Sequence, residues 1–223
     1  MSINRFDAIL YINLVHRKDR EEWILSELKR VGADFKKVFR INAFYTPLNG
    51  YKGCSYSHYK AICFAIENNL ENVLILEDDN HFIKDVNTIK NYIDDFFDEF
   101  KNNWHVFFLS ANVVKYENIK NSKYVRVLKG SLANAYAVNK TFFNLLKECF
   151  FCSYNILPNV YFKNKTESLA NDQLWQIAQE DFKWYIGEKR ISRQKHKMYS
   201  DILKNRLIRY PNFQKFEMDD YSQ

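Results

Sequence analysis

The chain holds 223 residues, a length that points to one domain and buries enough surface to fold without a disulfide or zinc staple. Apolar residues at 47% and charged residues at 27% exclude a disordered chain, and 5 Gly with 3 Pro exclude collagen-like or linker-rich architectures. The net charge of +6 fits weak attraction to phosphates, diphosphates or membrane head groups, but Lys and Arg are interleaved with acids and form no basic stripe of the kind nucleic-acid binding needs.

Strand-like apolar runs alternate with longer amphipathic stretches, which predicts an α/β fold. Ala8 to Leu14 reads as a buried first strand. Asp19 to Val31 reads as a helix with Trp23, Ile24 and Leu28 on one face and Gly32 at its C-terminal cap. Lys37 to Ile41 alternates as a second strand. A Pro/Gly loop spans Thr46 to Gly53, and a helix is expected from Ser57 to Asn69, with Ser57 at its N-cap. Val73 to Leu76 is a central strand ending in Glu77-Asp78-Asp79. A third helix covers Val86 to Phe100, followed by a buried strand at Val106 to Leu109 and an edge or hairpin strand at Tyr124 to Leu128. Ala135 to Val138 is a short strand leading into a helix at Thr141 to Cys149. Asn171 to Gln179 reads as a further helix and Trp184 to Ile186 as a short strand. The division expected is a domain over 1–190 and a polar, basic tail over 191–223 that packs on it.

No apolar run approaches the ~20 residues of a membrane span, and no signal-peptide core follows Met1 to Asp7. The expectation is a cytoplasmic location, compatible with peripheral membrane association. Cys149 and Cys152 form a Cys-x-x-Cys pair without a second ligand pair, so the four cysteines, with Cys54 and Cys63, are expected to be buried free thiols.

Ligands of open α/β sheets bind beyond the carboxyl ends of the strands, and three segments fall there. Glu77, Asp78 and Asp79 repel one another, and a divalent cation such as Mg²⁺ or Mn²⁺ would relieve that repulsion; a solvated turn is the competing reading. Asn13 and Leu14, with Arg17, Lys18 and Arg20 at the start of a helix, could hold an anion or nucleotide, or the arginines could pair with Asp19, Glu21 and Glu22. Gly53 to His58 brings Ser57 and His58 to the start of a helix.

Taken in order, Tyr11-Ile12-Asn13-Leu14 with Arg17 and Asp19-Arg20, Gly53-Cys54-Ser55-Tyr56-Ser57-His58, and Leu74-Ile75-Leu76-Glu77-Asp78-Asp79 resemble glycosyltransferase family 25, which holds lipopolysaccharide and procollagen galactosyltransferases. Weaker matches are Ala135-Tyr136-Ala137-Val138, Asp172, Gln194 and Tyr199-Ser200-Asp201-Ile202. One departure stands out: the family usually has Gly-Thr where this chain has Leu132 and Ala133.

The resemblance implies a single-domain GT-A fold, a Rossmann-like mixed sheet flanked by helices. It implies inverting transfer of a hexose, galactose favoured, from a UDP-sugar to a hydroxyl of a glycan, lipopolysaccharide or hydroxylysine, usually with Mn²⁺. UDP-glucose or UDP-N-acetylglucosamine as donor, and a non-catalytic nucleotide-sugar-binding module, are the alternatives. On this reading Asp79 is the principal metal ligand, helped by Asp78 and by His196. Asp172 is the candidate base. Asn13, Leu14, Arg17 and Arg20 hold the uridine and diphosphate end, Ser57 and His58 border the sugar or ribose, and Glu77 and Asp78 complete the donor site.

Overall fold

A computed structural model describes residues 2–162, 166–196 and 198. The first strand, β1 (Ala8–Asn13), is buried along its whole length, because alternate side chains enter two different cores. Ala8, Leu10 and Ile12 pack into the first core, and Ile9 and Tyr11 into the second. Helix α1 (Lys18–Arg30) buries Ile24 and Leu28 in the second core. Its end is a Schellman cap: Gly32 has φ +73°, its N–H reaches Lys29 O, and the Ala33 N–H reaches Leu28 O.

β2 (Val38–Asn42) and β3 (Asn72–Glu77) flank β1 in parallel, with Ile12 opposite both Ile41 and Glu77. α2 (Gly50–Glu67) covers one face of these strands, and its Ala61, Ile62 and Ala65 enter the first core. α3 (Val86–Phe100) covers the other face with Ile89, Ile93 and Phe96 and is capped by Asp85, whose Oδ1 accepts the Thr88 N–H. Both faces of the sheet are covered by helices, which is why β1 and β3 read as continuous apolar runs.

The sheet then turns antiparallel. β5 (Val106–Asn118) and β6 (Tyr124–Asn139) form a long irregular hairpin. β6 pairs with β3 through Asn139 to Ala135, and with β7 (Trp184–Gly187) through Tyr124 to Arg126. The six-stranded order is β2-β1-β3-β6-β5-β7. A separate two-stranded sheet pairs β4 (Asn80–Phe82) with β8 (Ser192–Gln194). α4 (Lys140–Ile156) and a single turn, α5 (Asn171–Leu174), follow β6 in the chain. This is the mixed α/β sheet flanked by helices that the sequence implied.

Several boundaries differ from the sequence reading. The segments 124–128 and 135–138 belong to one strand, because β5 offers pairing partners along most of β6. The helix expected over Asn171 to Gln179 is one α turn followed by a 3₁₀ turn at Trp175–Ala178. β4 was too short and too polar to show as a strand.

The largest shift is at α2, which starts at Gly50 and not Ser57. Gly53 therefore lies inside the helix and opens no turn. Its role is close approach: a Cβ there would sit 2.4 Å from Phe44 O and 2.5 Å from Thr46 Oγ1. Ser57 is no N-cap either. Its hydroxyl donates to Gly53 O (2.6 Å) and accepts the Phe44 N–H (2.8 Å), which straps the loop after β2 to the helix. The cysteines are free, as expected, but not fully buried: Cys54, Cys63 and Cys149 are half-buried and Cys152 is exposed. Of the expected tail, Tyr199 to Ile202 and everything beyond lie outside the described residues. No helix among the described residues is long and apolar enough to cross a membrane.

Candidate active site

The carboxyl ends of β1 and β3, the loop after β2 and the first turns of α2 converge on a cleft of about 110 Å³. Of the residues singled out in the sequence, Leu14, Arg20, Ser57, His58, Glu77, Asp78 and Asp79 line it. Phe44, Tyr45, Thr46, Gly50, Gly53, Cys54 and Gln194 line it as well.

Its floor is a buried charge cluster. Arg20 is 8% exposed, Asp78 6% and Asp79 8%. Arg20 Nη1 donates to Asp78 Oδ1 (2.7 Å) and lies 3.4 Å from Asp79 Oδ2. Asn13 Nδ2 donates to the other Asp78 oxygen (2.8 Å), and Asn13 Oδ1 accepts from Arg40 Nη2 (2.8 Å). Both Asp78 oxygens are therefore spoken for within the protein. Asn13 stands behind the cleft as the bracket of Asp78, and Arg20 faces carboxylates. Arg17, outside the cleft lining, closes on Asp19 through Nε (2.9 Å) and Nη2 (2.7 Å), the surface pairing that the sequence left open.

Asp79 differs from Asp78. Its Oδ1 is buried and has no hydrogen-bond partner among the described residues. Burial, then the nearby Glu77 charge, push its carboxyl up to about 7 against the pull of Arg20. Asp78 is also raised, mainly by burial. Glu77 goes the other way: burial would raise it, but the hydrogen bond and charge of His58, with Arg20 and Gln194, hold it below the usual carboxylate range. His58 is fully buried, with Nε2 3.3 Å from Glu77 Oε1 and Nδ1 2.8 Å from the Tyr136 hydroxyl.

The β4–β8 sheet closes one side. Gln194 Nε2 donates to Glu77 Oε2 (3.4 Å), and the Lys195 N–H donates to Asp79 O (2.8 Å). The Lys195 ammonium sits 3.1 Å from the Trp23 ring centroid, and Trp23 Nε1 donates to Asn80 O (2.9 Å). This sheet is moored to α1 by Glu27, whose carboxylate accepts from Arg30 Nε and Nη2 and from the Phe82 N–H (2.7 Å). His196 is exposed, one residue past the bond to Asp79 O.

Asp172, at the first turn of α5, does not line the cleft but adjoins it. Its neighbour Asn171 has Oδ1 3.9 Å from Cys54 Sγ. Asp172 Oδ2 accepts the Leu132 N–H (2.9 Å), and burial followed by the charge of Glu77 raises its carboxyl. Leu132 holds φ +82°, the left-handed region that favours glycine, at the position where the resembled family usually has Gly. Sequence reasoning missed Cys54 as a cleft residue, although its i, i+4 spacing to His58 was the available signal. It also missed Asn171 and the aromatic rim at Phe44 and Tyr45, which carry no motif.

The clustered carboxylates stand at the carboxyl end of β3, inside the sheet, which is where open α/β sheets bind their ligands. The sequence matches the family described as glycosyltransferase family 25 (LPS biosynthesis protein) over residues 6–159, more than half of the chain, so the chain belongs to that family and is a glycosyltransferase. A search of curated proteins gives no match.

Similar solved structures include a glycosyltransferase involved in glycosylation of the major capsid of PBCV-1, at 12% identity and TM-score 0.43, covering 81% of this chain and 91% of that one. A UDP-glucose pyrophosphorylase complexed with UDP-glucose is similar at 6% identity and TM-score 0.49, over 82% and 90% of the two chains. A CTP:phosphocholine cytidylyltransferase from Streptococcus pneumoniae is similar at 11% identity and TM-score 0.45, over 84% and 92%.

Proposed function

We propose that this chain transfers a hexose, galactose favoured, from a UDP-sugar to a hydroxyl of a glycan, lipopolysaccharide or hydroxylysine acceptor, with inversion and with Mn²⁺ or Mg²⁺ at Asp79. The observation that carries the reading is Asp79 Oδ1, buried at the cleft and without a hydrogen-bond partner among the described residues. A carboxylate oxygen in that state is an unmet demand for a cation, and oxygen donors suit these ions. Asp79 is therefore the principal ligand, with His196 close by in sequence to the Lys195 contact. Asp78 is the weaker candidate, since Arg20 and Asn13 already occupy its oxygens. When bound, the cation neutralises charge that develops on the departing diphosphate.

The protein's own groups do the rest. Arg20 holds Asp78 and Asp79 in place against their mutual repulsion. Leu14, Ser57 and His58 shape the wall against which the donor lies, and Asn13 fixes Asp78. Arg17 can reach a diphosphate only by leaving Asp19. The acceptor oxygen bonds to the anomeric carbon as the bond from that carbon to the phosphate oxygen breaks, UDP leaves with the electron pair, and the acceptor proton passes to the Asp172 carboxylate. Burial raises the Asp172 carboxyl and so makes it a stronger base, and the Leu132 N–H orients it.

The test is UDP release from a panel of UDP-sugars with Mn²⁺, paired with UDP binding. Asp79→Asn should lose metal-dependent UDP binding and turnover together. Asp172→Asn should bind UDP normally while kcat falls by a factor of roughly 10² or more. Binding of UDP without turnover of any donor by the unaltered protein would favour the non-catalytic module. Loss of binding in Asp172→Asn would remove it from the role of base.

A further inference from the structure

Cys54 and His58 stand one turn apart on α2, so both face the end of β3 where Glu77 lies. One ligand atom from each of the three lies within 4.8 Å of the others. Cys54 Sγ is 3.7 Å and His58 Nε2 3.3 Å from the same oxygen, Glu77 Oε1. A tetrahedral ion with bonds of ~2.3 Å to sulfur and ~2.0 Å to nitrogen and oxygen sets an S···O edge of ~3.5 Å and an N···O edge of ~3.3 Å. Two of the triangle's edges already have nearly those lengths, and the third, from sulfur to the imidazole nitrogen, is no longer than 4.8 Å.

Hydrogen bonding accounts for it less well. The thiol has one proton, yet two oxygens converge on it at 3.7 and 3.9 Å. The outer contacts suit ligation: the Tyr136 hydroxyl takes His58 Nδ1 at 2.8 Å, leaving Nε2 to face the triangle, and Gln194 donates to the far oxygen of Glu77.

We propose that Cys54, His58 and Glu77 form a three-ligand site for a thiophilic divalent cation, Zn²⁺ foremost, with the fourth position open to the cleft. A thiolate and an imidazole select Zn²⁺ over Mn²⁺ or Mg²⁺, so this site is chemically distinct from the oxygen donors at Asp79. On binding, the Cys54 proton goes to solvent. The ion then sits on one thiolate, one neutral imidazole and one carboxylate, and their charges cancel. The site needs no substrate to form, and although Cys54, His58 and Glu77 also line the donor cleft, metal binding alone can be read without turnover.

The full chain, stripped with a chelator, is titrated with Co²⁺ as the spectroscopic probe and then with Zn²⁺. The expected result is a thiolate-to-cobalt charge-transfer band with tetrahedral visible bands, saturating at one equivalent and bleached by Zn²⁺. Cys54→Ser should abolish the charge-transfer band. Glu77→Gln, which keeps shape and removes a strong ligand, should weaken Zn²⁺ at least about tenfold in competition with a chromophoric chelator. It decides the matter if Cys54→Ser does not fold by circular dichroism. A double Cys149→Ser, Cys152→Ser variant should keep the spectrum. Absence of the band in the unaltered protein, its persistence in Cys54→Ser, its loss in the double variant, or unchanged Zn²⁺ affinity in Glu77→Gln would each overturn the proposal.

Discussion

Replacing Arg20 by Met keeps most of the side-chain volume and removes the guanidinium that meets both Asp78 and Asp79. The contacts of 2.7 and 3.4 Å correspond to an attraction on the order of 5 kcal/mol per carboxylate at an effective dielectric of ~20. Desolvation of three buried groups repays much of that, so the pair adds little compared with an apolar substitute. Breaking it from one side is different, because two carboxylates remain buried without a counter-charge; the expected loss is about 3–5 kcal/mol. Urea unfolding followed by tryptophan fluorescence should show this as a midpoint lower by ~1–2.5 M for a slope of ~2–3 kcal/mol/M. Two further readouts separate charge from packing. Asp78→Asn added to Arg20→Met should recover part of the loss, and Mn²⁺ should stabilise Arg20→Met more than the unaltered protein, since the ion restores positive charge to the same carboxylates. A loss under ~1 kcal/mol, or a double variant no better than the single, would refute the account of Arg20 as the internal counter-charge.

Glu27→Gln should cost about 1.5–3 kcal/mol at neutral pH, the range for bonds to a charged group. Burial would raise the Glu27 carboxyl, but Arg30 and the Phe82 N–H outweigh it, so its folded pKa lies below the ordinary 4.5; the stability difference from Glu27→Gln should be complete above pH ~4.5 and vanish as pH falls through the lowered value, and a difference that persisted in acid would contradict this. Gly53→Ala drives a methyl into Phe44 O and Thr46 Oγ1 and should cost ~1–3 kcal/mol with weakened UDP binding, measured by urea unfolding and calorimetry. At position 132 the usual ranking of alanine over glycine should invert: the left-handed backbone costs alanine ~1–2 kcal/mol against the ~0.5–1 kcal/mol entropic cost of glycine, so Leu132→Gly should unfold at higher urea than Leu132→Ala.

The parts of this molecule that were legible in the sequence are those fixed by local periodicity. β1, β3, α1 and α3 follow from apolar spacing and caps, and α3 begins and ends where its pattern does. The misread parts depend on contacts distant in sequence. Gly50 and Gly53 look like a turn because glycine is poor in a helix interior, yet Gly53 is required by the passing Phe44 carbonyl, which no local pattern encodes. β6 reads as two strands because Leu132 and its polar neighbours interrupt the alternation, while pairing with β5 continues on both sides of the break. β4 has three residues and exists because β8, more than a hundred positions later, pairs with it.

The same distinction governs the site. Position in a motif located Glu77, Asp78 and Asp79 but could not rank them, because three adjacent carboxylates differ only in what the fold brings against each. Asp78 meets Arg20 from α1 and Asn13 from β1, and both its oxygens are satisfied. Glu77 meets His58 from α2 and Gln194 from β8, and stays ionised. Asp79 meets the edge of Arg20, and its Oδ1 has no hydrogen-bond partner among the described residues. A chain that buried a carboxylate in that state without a use for it would gain by replacing it with asparagine or an apolar residue, since an unsatisfied buried acceptor costs ~1–3 kcal/mol. Asp79→Asn should therefore raise the stability of the metal-free protein while abolishing its response to Mn²⁺, and a variant destabilised under both conditions would mean that Asp79 holds the fold rather than an ion.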